Sequence, residues 1–110
     1  MSSLEKIRSR EESLMFKTYG RYPLAIARGE GSRLWDHDGK EYIDLLAGIA
    51  VTGIGHANPE LASAIGEQAA KLIHVSNLFY QEEQLAFAER LLGTAHFGKA
   101  SFCNSGAEAN

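Results

Sequence analysis

Residues 102–110 read Phe-Cys-Asn-Ser-Gly-Ala-Glu-Ala-Asn and form the sharpest local pattern in the chain. The run from Lys99 to Asn104 is typical of a short strand, and Ser105 begins a pattern typical of a helix start. The first N–H groups of a helix have no partner within it, and the helix dipole makes that end positive. A phosphate binds well at such a corner. The residue types therefore make Ser105, Gly106 and Ala107 candidates for a phosphate site.

The same corner has a simpler interpretation as a capped helix. Ser105 and Glu108 stand three positions apart, which is the spacing of a capping box. Neither Gly-Lys-Ser nor Gly-Lys-Thr follows, so the pattern is not that of a nucleotide P-loop. On these residues alone, both the phosphate site and the plain cap stay open.

Two amphipathic helices are predicted upstream of this corner. Asn58, Pro59 and Glu60 match an N-cap, a proline in the first helical position and an acid near the positive end of the dipole. The apolar face that follows lapses around residues 76–77. A second helix is predicted from Glu82 to Leu92, with Gly93 as its stop signal.

The first half of the chain has a different pattern. An amphipathic surface helix is predicted over Ser3 to Phe16, followed by short antiparallel strands. Asp38-Gly39 lies between two apolar runs, residues 33–35 and 41–43, and predicts a hairpin turn. The stretch Gly48 to Gly55 is too irregular for a helix, and we interpret it as a linker or a site wall and as a candidate domain boundary.

Composition and charge limit the partners of the protein. The net charge of −3 with scattered basic residues gives no footprint for nucleic acid or an anionic membrane surface. The first residues lack the apolar core of a secretory signal and no run reaches membrane-spanning length, so we expect a cytoplasmic protein. The single cysteine, Cys103, is interpreted as a small strand residue. No metal site is expected, because the four histidines are dispersed: His37, His56, His74 and His96.

Several ordered stretches resemble the class III pyridoxal-phosphate-dependent aminotransferases, and within them the acetylornithine aminotransferases. Together they cover nearly all of this chain, but only the leading part of a family member. The stretches are residues 18–23, 29–36, 38–44, 48–51, 55–59, 76–80 and 102–110.

The resemblance implies an α/β fold, that of the aspartate-aminotransferase-like transferases of fold type I. A large domain with a mostly parallel sheet would hold pyridoxal 5'-phosphate, beside a small α/β domain. Residues 1–48 would form the N-terminal segment of the small domain, a helix plus a β-hairpin. Residues 49–110 would begin the large cofactor-binding domain without completing it.

The resemblance also assigns roles to individual residues. Gly106 and Ala107 would offer backbone N–H groups to the cofactor phosphate, with Ser105 beside them. Tyr19 matches a position near the substrate pocket. Ile49 matches a position where ornithine δ-aminotransferases carry a tyrosine, which argues against ornithine as the amino donor. Residues 76–80 resemble a segment at the dimer interface, so a homodimer is implied.

The implied reaction transfers the δ-amino group of N-acetylornithine to 2-oxoglutarate, in arginine biosynthesis. The lysine that binds the cofactor covalently in this family matches none of the lysines here, so no catalytic residue is assigned and these 110 residues alone are expected to be inactive. One alternative is another class III ω-aminotransferase, acting on ornithine, succinyl-diaminopimelate or 4-aminobutyrate. Others are a non-catalytic binding module for a phosphate-bearing ligand and an assembly fragment.

Overall fold

Reciprocal hydrogen bonds fix the start of the first helix. The computed structural model describes residues 2–110, and helix α1 spans Ser3–Leu14. The Ser2 hydroxyl accepts from the N–H of Glu5 at 3.2 Å, and the Glu5 carboxylate accepts from the N–H of Ser2 at 2.7 Å. This is a capping box. The helix ends two residues before the predicted Phe16, because the residue after Leu14 is extended.

Three short strands follow and form one antiparallel sheet. They are β1 (Ile26–Glu30), β2 (Arg33–Asp36) and β3 (Glu41–Ile43), in the order β1-β2-β3. The predicted hairpin between β2 and β3 is confirmed. These three strands are not the parallel sheet predicted for the large domain, which stays a prediction.

The hairpin turn is held by one carboxylate. Oδ1 of Asp36 accepts from the backbone N–H groups of Asp38 and Lys40, both at 2.9 Å, and Oδ2 accepts from the Tyr42 hydroxyl at 2.8 Å. Gly39 takes a φ of +84°, which glycine adopts without a Cβ penalty. Asp-Gly is thus used here as the sequence predicts.

A register irregularity in β1 places a cation over an aromatic ring. The pairing shifts between Ile26 and Arg28, so that Arg28 stands opposite Trp35. The Arg28 guanidinium carbon is 3.5 Å from the centre of the Trp35 ring, within the range of a cation–π interaction. On β2 and β3, Arg33 forms an ion pair with Glu41.

The stretch after β3 contains a turn of unusual handedness. The structure assigns a one-turn helix, α2 (Ala47–Ala50), where the sequence predicted a linker or a site wall too irregular for a helix. All four residues have positive φ, with values of 51° for Ala47, 63° for Gly48, 60° for Ile49 and 62° for Ala50. The left-handed region costs an L-residue about 1–2 kcal/mol. The sequence pattern failed because apolar periodicity assumes right-handed backbone.

The next two helices begin where the sequence predicts. Helix α3 spans Pro59–Lys71, so it ends before the predicted lapse around residues 76–77, and the Asn58 side-chain oxygen accepts from the N–H of Leu61 at 3.0 Å. Helix α4 spans Glu82–Leu92, as predicted. Gly93 ends it in the right-handed region with a φ of −66°, so the left-handed stop typical of such a glycine is not used.

The prediction of a strand from Lys99 to Asn104 is wrong. These residues have no strand assignment, because no neighbouring strand in residues 2–110 pairs with their backbone. Cys103 is therefore not a strand residue; its thiol is exposed and donates to the carbonyl oxygen of Ser105 at 3.4 Å. The helix start predicted after Ser105 is confirmed as α5 (Gly106–Ala109).

The chain divides into two units, one ending at Lys71 and the other spanning Leu72–Asn110. The domain boundary predicted at residues 48/49 concerns the complete protein and stays a prediction. Among residues 2–110, no apolar residue is buried, and large apolar side chains lie exposed on both units. No helix in this described part has the length and apolarity needed to cross a membrane.

Candidate functional site

The Ser105 corner is organised by two capping hydrogen bonds. Ser105 is extended, with φ −150° and ψ 158°, and its hydroxyl oxygen accepts from the N–H of Glu108 at 3.3 Å. The Glu108 carboxylate accepts from the N–H of Asn104 at 2.8 Å. The capping interpretation of the sequence is therefore correct, although the carboxylate bonds the residue before the cap.

Two backbone N–H groups at this corner have no partner after the capping bonds have formed. The N–H groups of Glu108 and Ala109 are used by Ser105, whereas those of Gly106 and Ala107 donate to no atom within residues 2–110. A Cβ built on Gly106 meets nothing within 4 Å. The Ser105 hydroxyl accepts in its bond to Glu108 and keeps its own proton to donate. The cap and an anion site are thus compatible.

These groups fit a phosphate ester. Two unpaired N–H groups and one hydroxyl proton are hydrogen-bond donors, which is what phosphate oxygens need. The absence of a side chain at Gly106 leaves the approach to the backbone open. The predicted set Ser105, Gly106 and Ala107 therefore has the chemistry of a phosphate cradle, and its assignment to pyridoxal phosphate stays a prediction.

Tyr19 lies in the first unit, on the wall of a groove. The groove has a volume of about 740 Å³, and its lining includes α1 and residues 19–26. Tyr19 is 73% exposed, and the Arg21 guanidinium carbon lies 5.8 Å from the centre of its ring. Arg21 is itself paired with Glu11, at 2.6 Å between Nε and Oε1. Tyr19 is free to contact a ligand, and its substrate role stays a prediction.

Sequence reasoning missed a hydrogen-bonded pair, Asp44 and His56. Nε2 of His56 lies 2.6 Å from Oδ2 of Asp44, and His56 is the donor because a carboxylate only accepts. The Asp44 side chain is 7% exposed and that of His56 is 23% exposed. The backbone of His56 also forms a two-way bridge with that of Gly31, at 2.8 and 2.9 Å.

The second oxygen of Asp44 holds the left-handed turn. Oδ1 accepts from the N–H groups of Leu46 and Ala47, both at 2.9 Å. The bond from His56, and then those from Ala47 and Leu46, hold the pKa of Asp44 below its usual value. The pKa of Asp36 is lowered in the same way, by the hydrogen bond from the Tyr42 hydroxyl and by the backbone hydrogen bonds of the hairpin turn.

Gly29 makes room for the His56 ring, and Gly55 allows the backbone beside His56 to approach Gly31 closely. A Cβ on Gly29 would lie 2.7 Å from Cγ of His56, and a Cβ on Gly55 would lie 3.0 Å from Cα of Gly31. Gly55 also has a φ of +87°. The signal available in the sequence was therefore Gly-x-Gly at residues 29–31 together with Gly55-His56, which indicates close backbone approach.

The fold of this chain is similar to that of solved aminotransferases. The family model of aminotransferase class III matches residues 15–110. This chain belongs to the class III aminotransferases, and its fold is the N-terminal part of the α/β fold of these pyridoxal-phosphate enzymes.

Among its relatives is the acetylornithine aminotransferase of Streptomyces coelicolor, which is 52% identical over 98% of this chain and 27% of the relative. The crystal structure of acetylornithine aminotransferase from Elizabethkingia anophelis has a TM-score of 0.92 at 33% identity, over 99% of this chain and 28% of that one. Ornithine δ-aminotransferase of Plasmodium falciparum has the same TM-score at 26% identity, over 98% and 28%. The chain thus spans about a quarter of the length of the relatives it matches.

Proposed function

We propose that this chain is the N-terminal part of an enzyme that transfers the δ-amino group of N-acetylornithine to 2-oxoglutarate, using pyridoxal 5'-phosphate. The observation that carries the proposal is the 52% identity to an acetylornithine aminotransferase across 98% of the chain. The unpaired donors at the Ser105 corner support the cofactor assignment, since they suit its phosphate ester.

In this proposal, Gly106 and Ala107 bind the phosphate through their N–H groups and Ser105 binds it through its hydroxyl. When bound, pyridoxal phosphate supplies the electron sink that amino-group chemistry requires. The residues described here orient the cofactor rather than move protons. These 110 residues alone are proposed to be inactive, because the covalent lysine of the family matches none of their lysines.

The choice of amino donor rests on sequence rather than on fold. The structures of an acetylornithine and an ornithine aminotransferase match this chain with the same TM-score of 0.92, so the backbone does not separate them. Identity is higher to the first, 33% against 26%. Ile49, 83% exposed on the left-handed turn, replaces the tyrosine that the resemblance places in ornithine enzymes. An apolar residue there suits a donor whose α-amino group is acetylated and uncharged.

Assembly and location belong to the same proposal. A homodimer and a cytoplasmic role in arginine biosynthesis are what the resemblance implies for the complete enzyme. The basis for the dimer is the segment 76–80, which resembles a segment at the dimer interface of the family.

A donor ranking tests the proposed reaction. The complete protein, loaded with pyridoxal phosphate, is assayed for kcat/KM with N-acetylornithine, ornithine, succinyl-diaminopimelate and 4-aminobutyrate, with 2-oxoglutarate as acceptor. N-acetylornithine should rank first. A preference for 4-aminobutyrate would overturn the donor assignment, and no transamination with any donor would overturn the enzyme assignment.

A further inference from the structure

Asp44 and His56 connect the sheet to a backbone conformation that L-residues avoid. Ala47, Ile49 and Ala50 all have positive φ in the turn that follows β3. Such conformations persist only where the surrounding structure over-determines them, and they concentrate at functional sites. The contacts that over-determine this turn are therefore informative about what it does.

One carboxylate spans the turn and the sheet. Oδ1 of Asp44 bonds the N–H groups of Leu46 and Ala47 at 2.9 Å, while Oδ2 bonds His56 at 2.6 Å. The backbone of Asp44 is fixed in turn, because its N–H donates to the carbonyl of Ser32 at 2.9 Å. The turn therefore starts from a point anchored on the sheet.

His56 is itself locked against the edge of β1. Its backbone bonds Gly31 in both directions, and its ring lies where a Cβ on Gly29 would be. Because the ring has little room, the position of the Asp44 carboxylate follows from the position of the strand. Strand, imidazole, carboxylate and turn form one continuous chain of contacts.

The side chain at the apex of this turn does little for internal packing. Ile49 is 83% exposed, so the strain in its backbone is not repaid by burial within the described residues. A turn that is strained, anchored and apolar at its apex has the properties of a support for a ligand-facing side chain.

We propose that Asp44 and His56 are positioning residues that hold the left-handed turn and thereby set the place of Ile49 in the pocket for the amino donor. This inference rests on the proposed function, in which Ile49 discriminates between N-acetylornithine and ornithine. Asp44 and His56 touch neither substrate nor cofactor in this account, and they act through the turn.

The test measures donor selectivity in the complete enzyme. The ratio of kcat/KM for N-acetylornithine to kcat/KM for ornithine is independent of how much of the protein is folded. Asp44→Ala removes the anchor, and Gly29→Ala displaces His56 without touching the turn. The matched controls are Asp36→Ala, which removes a carboxylate with the same three-bond pattern from the hairpin, and Gly66→Ala, where a Cβ meets nothing within 4 Å.

The expected result is a fall in this ratio of about 10- to 100-fold in Asp44→Ala and Gly29→Ala, the size of effect that misplacement of a substrate-facing group produces. Asp36→Ala and Gly66→Ala should change the ratio by less than about twofold. Asp44→Asn should recover part of the ratio, because its amide oxygen still accepts from Leu46 and Ala47. If Asp44→Ala and Asp36→Ala change the ratio of kcat/KM values by the same factor, the positioning role is overturned.

A second readout separates this inference from the reaction itself. Hydrogen–deuterium exchange of the peptide covering residues 45–52 should be faster in Asp44→Ala and Gly29→Ala than in the wild type and the two controls. If the wild type transaminates neither donor, the proposed function fails while the exchange result still decides whether the pair holds the turn. Unchanged exchange in Asp44→Ala overturns the inference whatever the activity.

Discussion

Ser105 uses its two hydrogen-bonding capacities for different purposes. Its oxygen accepts from the N–H of Glu108, which stabilises α5, and its proton remains for a ligand. The sequence presented these as competing interpretations, a helix cap or a phosphate site. They are compatible because Gly106 and Ala107 keep their N–H groups unpaired within the described chain.

Ser105→Ala should weaken binding of pyridoxal 5'-phosphate to the complete protein by about 10- to 100-fold, since a hydrogen bond to a charged group contributes about 1.5–3 kcal/mol. Binding of pyridoxal, which lacks the phosphate, should change much less. The affinities are measured by absorbance titration. Ser2→Ala is the control, because Ser2 caps α1 with the same side-chain bond. Equal weakening of both ligands by Ser105→Ala would place the phosphate elsewhere.

Asp36 and Asp44 should make stability sensitive to acid. Both carboxylates have a lowered pKa in the folded chain. A lowered folded-state pKa gives a contribution that is fully present above the unfolded value, about 3.9, and is lost as the pH falls through the folded value. Unfolding midpoints of the complete protein in urea should therefore fall below about pH 4.

The double variant Asp36→Asn/Asp44→Asn should show a smaller decline over the same pH range, because it has no charge to lose at these sites. Asp38→Asn, which removes a charge from the same hairpin turn, should follow the wild-type profile. A double variant whose midpoint falls as steeply as that of the wild type would show that other groups govern acid unfolding.

At the scale of elements, the helices that the sequence predicted best are those with explicit end signals. Asn58 caps α3 as expected, and α4 spans the predicted Glu82–Leu92. The strand predicted from Lys99 failed because a strand is defined by a partner, which a local pattern does not contain. The left-handed turn at α2 was missed because apolar periodicity assumes right-handed backbone, and because the bond between Asp44 and His56, twelve positions apart, is not contained in a local pattern.

The two middle helices offer a matched test of capping. Asn58→Ala should lower the free energy of unfolding of the complete protein by about 1 kcal/mol, because it removes the bond to Leu61. Gln81→Ala at the start of α4 should have almost no effect, since Gln81 makes no side-chain capping bond. The comparison is made by urea denaturation. Equal effects from the two variants would mean that the Asn58 cap adds nothing to stability.

At the scale of the whole chain, large apolar side chains are exposed rather than packed in a core. No apolar residue within residues 2–110 is buried, and Phe16, Leu45 and Tyr80 are each more than nine-tenths exposed. Burial of apolar surface is the main favourable term in folding. The sequence could predict which faces are apolar, but not that no buried apolar core forms from them within residues 2–110.

The isolated 110-residue polypeptide should consequently bind a hydrophobic dye such as anilinonaphthalene sulfonate and lose its circular dichroism gradually on heating. The complete protein should bind little dye and unfold in a sharp transition. The two are compared at equal molar concentration. A sharp transition in the short polypeptide, without dye binding, would show that it forms a sufficient core after all.

The Arg28 guanidinium of β1, stacked on Trp35 of β2, gives these 110 residues a built-in fluorescent reporter. Trp35 is the single indole in these 110 residues, and the Arg28 guanidinium carbon lies 3.5 Å from its ring centre, beside the register shift in β1. Any event that pulls the first strand from the second would uncover that indole and change its emission. The intrinsic fluorescence of Trp35 can thus report whether the sheet is intact, without an attached label.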